Sequence, residues 1–408
     1  MIDVKAARAD PERFRAALAR RGGAADLDAL LELDRRRVAL LPQVEELRAR
    51  RKIKGKPTPE QIEEGQRIKA QLEELDRELG EATAQMDALL ARIPNLPDDS
   101  APDGDSEEDA EVVKTVGDPP RFGFEPKDAL ELSAGGIDVE RAARMAGSRF
   151  AYRLGDVART ELALYRFVID RLVAKGFVPV LPPVIANERA MFGTGALPSD
   201  ESNYYRLEGE DQYLTGTSEV ALAALHMDDR IEEDDLPLLY TAFSTNFRRE
   251  AGAAGRDTRG MFRMHQFDKV EMFVFCRPEE SAGFHEQLLA NEEEIVQALE
   301  LPYRVVNIAV GDLGAPAAKK YDIEAWFPTQ ERYREVTSCS NTTDYQSRRL
   351  NIRARIDGRL VHVHTLNGTG TTARSLLAVM ENHQQEDGSV AVPQVLQDHG
   401  APAGIGTA

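Results

Sequence analysis

FRREAGAAGRDTRGMFRMHQFDKVEMF, residues 247 to 273, sets cations among small residues and then closes in an apolar run. Arg248, Arg249, Arg256, Arg259, Arg263 and Lys269 are interleaved with Gly252, Gly255 and Gly260. A guanidinium offers a planar, bidentate fork to phosphate oxygens, so flexible backbone carrying several of them suits a polyanion such as a triphosphate. A surface loop with solvated charge has the same composition, and both readings stand on these residues alone. The closing HQFDKVEMFVF is β-prone and predicts a rigid strand beneath the loop.

Outward from this stretch the pattern is mixed. Asp156 to Lys175 reads as a helix, and Phe177 to Val180, Val270 to Phe275, Tyr303 to Val310 and Leu360 to His364 read as strands. Neither GxGxxG nor GxxxxGK[ST] occurs, so a Rossmann or P-loop nucleotide site is disfavoured. YREVTSCSNTTDYQSRRL places Glu335 beside small hydroxyl residues and Asn341. That is a fair oxygen set for magnesium, and equally a plain strand with polar ends. HTLNGTGTTARSLLAVMENHQ runs from a strand through Gly and Thr into an apolar helix, with Arg374 at its entrance. An arginine beside a helix N-terminus adds its charge to the attraction of the helix dipole for an anion.

Towards the N-terminus, apolar residues at Leu30, Leu33, Leu40, Val44 and Leu47, then Ile68, Leu72, Leu75, Leu79, Ala82, Met86, Leu89 and Ile93, follow the seam of a coiled coil. Gly55, Pro57 and Pro59 in KIKGKPTPEQ force a turn between them, so the two helices fold back as an antiparallel hairpin of about 27–93, its tip near 52–60. Arg48, Arg50, Arg51, Lys52, Lys54 and Lys56 gather at that end with no acid among them. The patch suits nucleic acid, while a solvated face on an oligomerisation arm would look the same. IPNLPDDSAPDGDSEEDAE, rich in Pro, Asp and Ser, cannot bury enough apolar surface to fold alone and marks a boundary. The expected division is 1–100 with the arm, a linker over 101–120, and a mixed α/β domain over 121–408.

The whole chain of 408 residues is 42% hydrophobic and 30% charged, which fits two domains. A net charge of −19 argues against indiscriminate coating of nucleic acid, so any such contact must use local basic patches. MIDVKAARADPERF lacks the apolar core of a signal peptide, and no later run approaches a membrane span; a soluble, cytoplasmic protein is expected. Cys276 and Cys339 lie far apart with no metal-ligand spacing, so they read as reduced thiols, Cys339 as packing. His362 and His364 likewise read as packed or surface residues, since no third ligand falls at a matching spacing.

These segments together resemble the signature motifs of class II aminoacyl-tRNA synthetases, and in wording those of the seryl-tRNA synthetases. KGFVPVLPP resembles motif 1, which in the family builds a dimer interface around a proline, here Pro182 or Pro183. FRREAG to KVE resembles motif 2 and NGTGTTARSLLAVMEN motif 3, with FGTGALP, TGTSEVAL, EVTSCSNTTDYQSRR and IPNLP in the family's order. The resemblance covers nearly the whole chain. It implies an α+β fold: an N-terminal antiparallel helical coiled-coil arm for tRNA, then a catalytic domain on an antiparallel β-sheet flanked by helices.

The resemblance further implies roles. Arg248 meets the ATP α-phosphate and the serine carboxylate, Glu250 reads the adenine amino group, Arg263 meets the outer phosphates and Phe267 stacks on adenine. Arg249, Met264, Val336 and Thr337 fall within the implied ATP site. Glu335 and Ser338 match residues for Mg²⁺ and phosphate, and Arg374 matches the arginine on the γ-phosphate; Arg248, Glu335 and Arg374 form the implied catalytic set. Serine falls to Thr217, Ser218, Glu219, Arg248, Glu271, Asn367 and Thr369. The implied reaction is activation of L-serine by ATP and transfer to tRNA(Ser), and to tRNA(Sec) where present. A homodimer is implied, its arm binding tRNA across subunits.

Three departures from the family pattern stand out. Arg121-Phe122-Gly123-Phe124 replaces its usual aromatic segment, the turn between the arm helices is short, and Gly370 to Arg374 is one residue shorter than the common form.

Overall fold

The computed structural model describes residues 1–52, 58–252, 255, 257 and 259–406, and the chain divides into two compact units, Met1–Pro97 and Asp98–Ala408.

The first unit is built on α1 (Ala24–Arg50) and α2 (Pro59–Arg92). α2 starts where Thr58 and Gln61 form a reciprocal capping box and Pro59 takes a first-turn position, where its missing N–H costs nothing. Leu40 and Val44 on α1, and Ile68, Leu72, Ala82 and Met86 on α2, are buried as their spacing predicts. Two refinements appear: Leu90 rather than Leu89 is the buried member of its pair, and Pro42 lies inside α1. The short helices Val4–Ala9 and Pro11–Ala19 close the base, where Phe14 and Leu18 pack on Leu27, Leu30 and Met86. At the other end the facing helix supplies the acids that the basic run lacks: Arg48 pairs with Asp76 at 2.9 Å and Arg50 with Glu64 at 2.6 Å. Arg51 and Lys52 are exposed and make no ion pair among the described residues. Lys54, Lys56 and the 53–57 part of the tip lie outside the described residues.

The second unit centres on an eight-stranded sheet. In chain order its strands are β1 (Glu111–Val116), β2 (Val178–Val180), β3 (Leu238–Phe247), β4 (Gln266–Cys276), β5 (Tyr303–Asn307), β6 (Lys319–Phe327), β7 (Arg332–Thr343) and β8 (His364–Thr372). They lie in the order β1-β5-β6-β7-β8-β4-β3-β2, antiparallel throughout except for β2 beside β3. Helices α3 (Gly155–Ala174), α4 (Ser281–Ala298) and α5 (Ala373–Asn382) pack on one face. There Val270, Met272 and Val274 of β4 meet Leu164, Leu288 and Leu376. Each such side chain, fully buried, contributes about 1.5–3 kcal/mol. On the other face Phe273 and Phe275 pack against Leu222 and Leu350, leaving the remainder of that face to a cavity.

Two sequence expectations change. The run Leu360 to His364 splits: Arg359–His362 pairs with Arg353–Ile356 in a separate small sheet, and His364 opens β8. The span 101–120, read as a linker, carries β1, which pairs with β5 at the sheet's edge. β1 is solvent-exposed along nearly all its length, so it has no apolar alternation to betray it, and its ladder to β5 alone makes it a strand.

Both strands that carry the later motifs are bulged. Between β4 and β8 the register steps from Val270↔Thr371 to Glu271↔Thr369, leaving Gly370 unpaired. Between β6 and β7 it steps from Ile323↔Thr337 to Glu324↔Glu335, leaving Val336 extra. The first bulge needs glycine for space: a Cβ at Gly370 would stand 2.9 Å from Val168 Cγ1 and 3.3 Å from the Val270 carbonyl oxygen. Gly370→Ala should therefore cost about 1–3 kcal/mol as overpacking, read as a lower urea midpoint; an unchanged midpoint would show that α3 yields and that the bulge is not held by this contact.

Candidate active site

Alternation along β4 sends Phe267, Lys269 and Glu271 to the cavity and Val270, Met272 and Val274 to the core. On β8, Asn367 and Thr369 line the cavity, and so does Thr372, three positions further on. A regular strand would turn residues three apart to opposite faces; the Gly370 bulge removes the conflict. The Val336 bulge acts in the same way on β7, bringing Glu335 to the face that Ser338, Ser340 and Thr342 share. The helix begins directly after Thr372, whose hydroxyl caps the Arg374 N–H at 3.2 Å, so the short approach from Gly370 to Arg374 is accommodated without a loop.

The cavity measures about 440 Å³ and has two chemically distinct ends. At one, Thr217 Oγ1 donates to Glu271 Oε2 at 2.7 Å and accepts from Lys269 Nζ at 2.8 Å. Lys269 and Glu271 themselves form a buried ion pair. Glu219 Oε1 accepts from Gln346 Nε2 at 2.6 Å and from Asn367 Nδ2 at 2.9 Å. Burial, and then the negative charge of Glu271, push the Glu219 carboxyl up to about 7.

The other end is rich in guanidinium groups. Arg248 Nε donates to the Gly216 carbonyl at 3.0 Å, and its guanidinium lies 5.3 Å from the Phe267 ring centroid. Arg374 donates through Nη1 to Glu335 Oε2 at 2.9 Å and lies 4.7 Å over the Phe262 ring, which Arg334 also approaches at 3.9 Å. Arg263 pairs with Glu250 at 2.7 Å. Burial raises the pKa of Glu335, but Arg374, Lys320 and Arg248 outweigh it and hold the carboxyl down at about 2. Lys320 in turn lies 2.8 Å from Asp322 Oδ1. Among the described residues no three His, Cys, Asp or Glu side chains converge as a metal cluster.

Most of the expected residues therefore meet. Thr217, Glu219, Glu271, Asn367 and Thr369 line the cavity, as do Arg248, Glu250, Arg263, Met264 and Phe267, and Glu335 to Ser338 with Arg374. Two do not. Ser218 is buried outside the cavity lining, its hydroxyl without a hydrogen-bond partner among the described residues. Arg249 is exposed and sits 5.8 Å over the Tyr205 ring, because it faces away from its neighbour Arg248. Cys339 is buried on the core face, and His362 and His364 bond to the Ile352 carbonyl and the Ser281 hydroxyl. Lys269, named above only among the cations of the 247–273 stretch, and Lys320 also line the site; the two-residue steps Lys269 to Glu271 and Lys320 to Asp322 are the spacing of same-face strand pairs. Gln346 and Phe262 carried no such signal.

Comparison with known proteins agrees with this geometry. A model of the seryl-tRNA synthetase N-terminal domain matches residues 1–97, and a model of the class II tRNA synthetase core domain (G, H, P, S and T) matches 204–383. A serine–tRNA ligase of Acidothermus cellulolyticus is 47% identical over 98% of both chains. The chain belongs to the seryl-tRNA synthetase family. The crystal structure of the Pyrococcus horikoshii seryl-tRNA synthetase complexed with ATP superposes with a TM-score of 0.93 at 41% identity, covering 99% of each chain. The Naegleria fowleri cytoplasmic serine–tRNA ligase in complex with AMP gives 0.88 at 35%, covering 97% of this chain and 95% of that one. The matched core of this synthetase contains every cavity residue from Thr217 to Arg374.

The Glu219 environment has a consequence for stability. Its folded pKa is raised, so its contribution is fully present below the ordinary carboxylate value of about 4.3 and is lost as pH rises through about 7. Glu219→Gln removes this term. Relative to the parent, the variant should gain unfolding free energy steadily between pH 4.5 and 7.5 in a series of denaturation curves; a difference that does not change with pH would sink the assignment.

Proposed function

We propose that the cavity activates L-serine with ATP to give seryl-adenylate and pyrophosphate, and then esterifies the 3′-terminal adenosine of tRNA(Ser). One observation carries this: a small polar pocket (Thr217, Glu271, Thr369 and Lys269) and an arginine-lined end (Arg248, Arg263 and Arg374) open on the same face of one sheet. The Pyrococcus horikoshii relative, solved with ATP, supports the nucleotide.

In this reading a serine carboxylate oxygen attacks the α-phosphorus, the bond to the pyrophosphate oxygen breaks, and no side chain becomes covalently attached. Arg248 lies within reach of both ends and orients carboxylate and α-phosphate. Phe267 offers a ring face to adenine, and Glu250 accepts from its amino group once Arg263 exchanges the Glu250 carboxylate for the outer phosphates. Arg374 meets the γ-phosphate, its guanidinium oriented by the contact with Glu335. Fixed cations aimed at developing charge in a water-poor cavity stabilise the transition state without reorganising. Glu271 and Thr217 accept and donate to the serine hydroxyl, so an amino acid lacking that hydroxyl leaves buried groups unpaired.

Glu335 and Ser338 are hard oxygen donors on one strand face, and the lack of a closed cluster among the described residues suits Mg²⁺, which keeps waters and phosphate oxygens as its other ligands. When bound there it would neutralise phosphate charge during displacement.

Two partners follow from the surface. Leu162, Val173, Val178, Leu181 and Ile185 are exposed on and after α3, Leu181 to 85%. Apolar exposure of this kind is covered by a second copy in the homodimer we propose. Among the described residues of the basic run, Arg51 and Lys52 are left without an acidic partner, and on the same reading the arm serves tRNA across the two copies.

Arg248→Ala should lower serine-dependent ATP–pyrophosphate exchange roughly 10²–10³-fold, the scale of one preorganised donor. Absence of serine-dependent exchange in the unaltered protein would overturn the reading. Reversing Arg51 and Lys52 to Glu should weaken tRNA charging, increasingly so as salt is lowered, and leave exchange nearly intact; equal loss of both activities would refute the arm's role.

A further inference from the structure

Beneath the cavity, on the opposite face of the sheet, α4 inserts a carboxyl group that the mechanism above does not use. Glu292 is wholly buried. Its Oε2 accepts from Thr337 Oγ1 of β7 at 3.1 Å, while its Oε1 lies beside β8, whose Thr369 backbone N–H faces the carboxyl. A Cβ placed on Gly368 of β8 would stand 3.1 Å from that same Oε1. The carboxyl is thus wedged under adjoining strands whose upper faces carry opposite ends of the site: Thr337 adjoins Ser338, and Gly368 lies between Asn367 and Thr369.

Plain helix-to-sheet packing would be served better by a hydrocarbon, since Gly368 is also lined by Met272 and Cys339, and a buried polar group costs stability unless bonded. No cation contacts the group. Burial, together with the negative charges of Asp322 and Glu271, drives its pKa well above the carboxylate range. Contacts to Thr337 of β7 and to the Gly368–Thr369 backbone of β8 let the one carboxyl bridge two strands beneath the Lys269–Glu271 pair.

We propose that Glu292 is a positioning residue of the serine pocket, fixing β7 at Thr337 and β8 at Gly368 so that Thr369 stands opposite Glu271. The proposal rests on the serine-activating function assigned above. Its test is ATP–pyrophosphate exchange by the full-length protein, with KM measured separately for serine and ATP. Glu292→Gln, neutral and able to accept from Thr337, should behave as the parent. Glu292→Leu should raise the KM for serine roughly tenfold while leaving that for ATP nearly unchanged. Gly368→Ala, whose methyl would press on Oε1, should repeat the selective rise and stands in if the leucine variant does not fold. A serine KM that does not move, equal movement of both KM values, or equal loss in the Gln and Leu variants would overturn the proposal. Failure of the unaltered protein to exchange with serine would instead overturn the functional reading.

Discussion

A β-strand shows only every second side chain to a given face, yet this site requires residues three apart on the same strand to act together. Thr369 and Thr372 on β8, and Glu335 and Ser338 on β7, are such pairs. One extra residue in each strand resolves the conflict, Gly370 in β8 and Val336 in β7. Everything else about the cavity depends on those insertions. Without them Glu335 would point into the apolar core, and α5 would leave β8 with Arg374 turned elsewhere. The core face tolerates both bulges because Val336 remains apolar and Gly370 adds no side chain where Val168 approaches.

Charge is then distributed by pairing rather than by excess. A chain of net charge −19 cannot attract polyanions by its overall field, so it must concentrate cations locally and keep them from being neutralised. The cavity does so by giving two of its arginines an acid that a substrate group can replace or share, while Arg248 is held by the Gly216 carbonyl. Glu250 holds Arg263, and Glu335 holds Arg374. These pairs keep the guanidinium groups aimed into the cavity before any ligand arrives, which is the preorganisation that phosphate chemistry requires. At the other end Lys269 and Glu271 form a buried ion pair, and burial, then the charge of Glu271, raises the pKa of the neighbouring Glu219 carboxyl. A polar pocket and an arginine-lined cleft can therefore adjoin without either field overwhelming the other.

The parts legible in the sequence were those set by local periodicity. The arm's spacing of three and four gave its hydrophobic seam, and the Arg-Gly stretch with its β-prone tail placed β4 and the arginine-lined end of the cavity. Residue identities at the cavity came through resemblance to the family, which explains the two that miss. Ser218 and Arg249 sit beside true cavity residues in the motif wording, but a strand or helix start turns neighbours apart, and wording carries no direction. β1 escaped notice because a solvent-exposed edge strand needs no apolar alternation. The acids opposite Arg48 and Arg50 escaped because they lie on the other helix, 28 and 14 residues away.

That last point bears on how an acidic protein can address tRNA at all. A run of six cations in sequence suggests a uniform patch, but two of them are already paired across the hairpin. Exposed ion pairs of this sort contribute little to stability, about 0–1 kcal/mol, so a phosphate can compete for either arginine at small cost. What they do is hold the arginine side chains against α2 and limit the positive potential in the absence of nucleic acid. On the role proposed for the arm, Arg51 and Lys52, without such partners among the described residues, would supply the standing attraction. Encounter would then begin at the unpaired cations, and Arg48 and Arg50 would change partners only once a phosphate backbone lies close enough to replace Asp76 and Glu64. A net charge that repels nucleic acid over most of the surface thus becomes a filter, because binding is favourable only where several phosphates can reach these cations together.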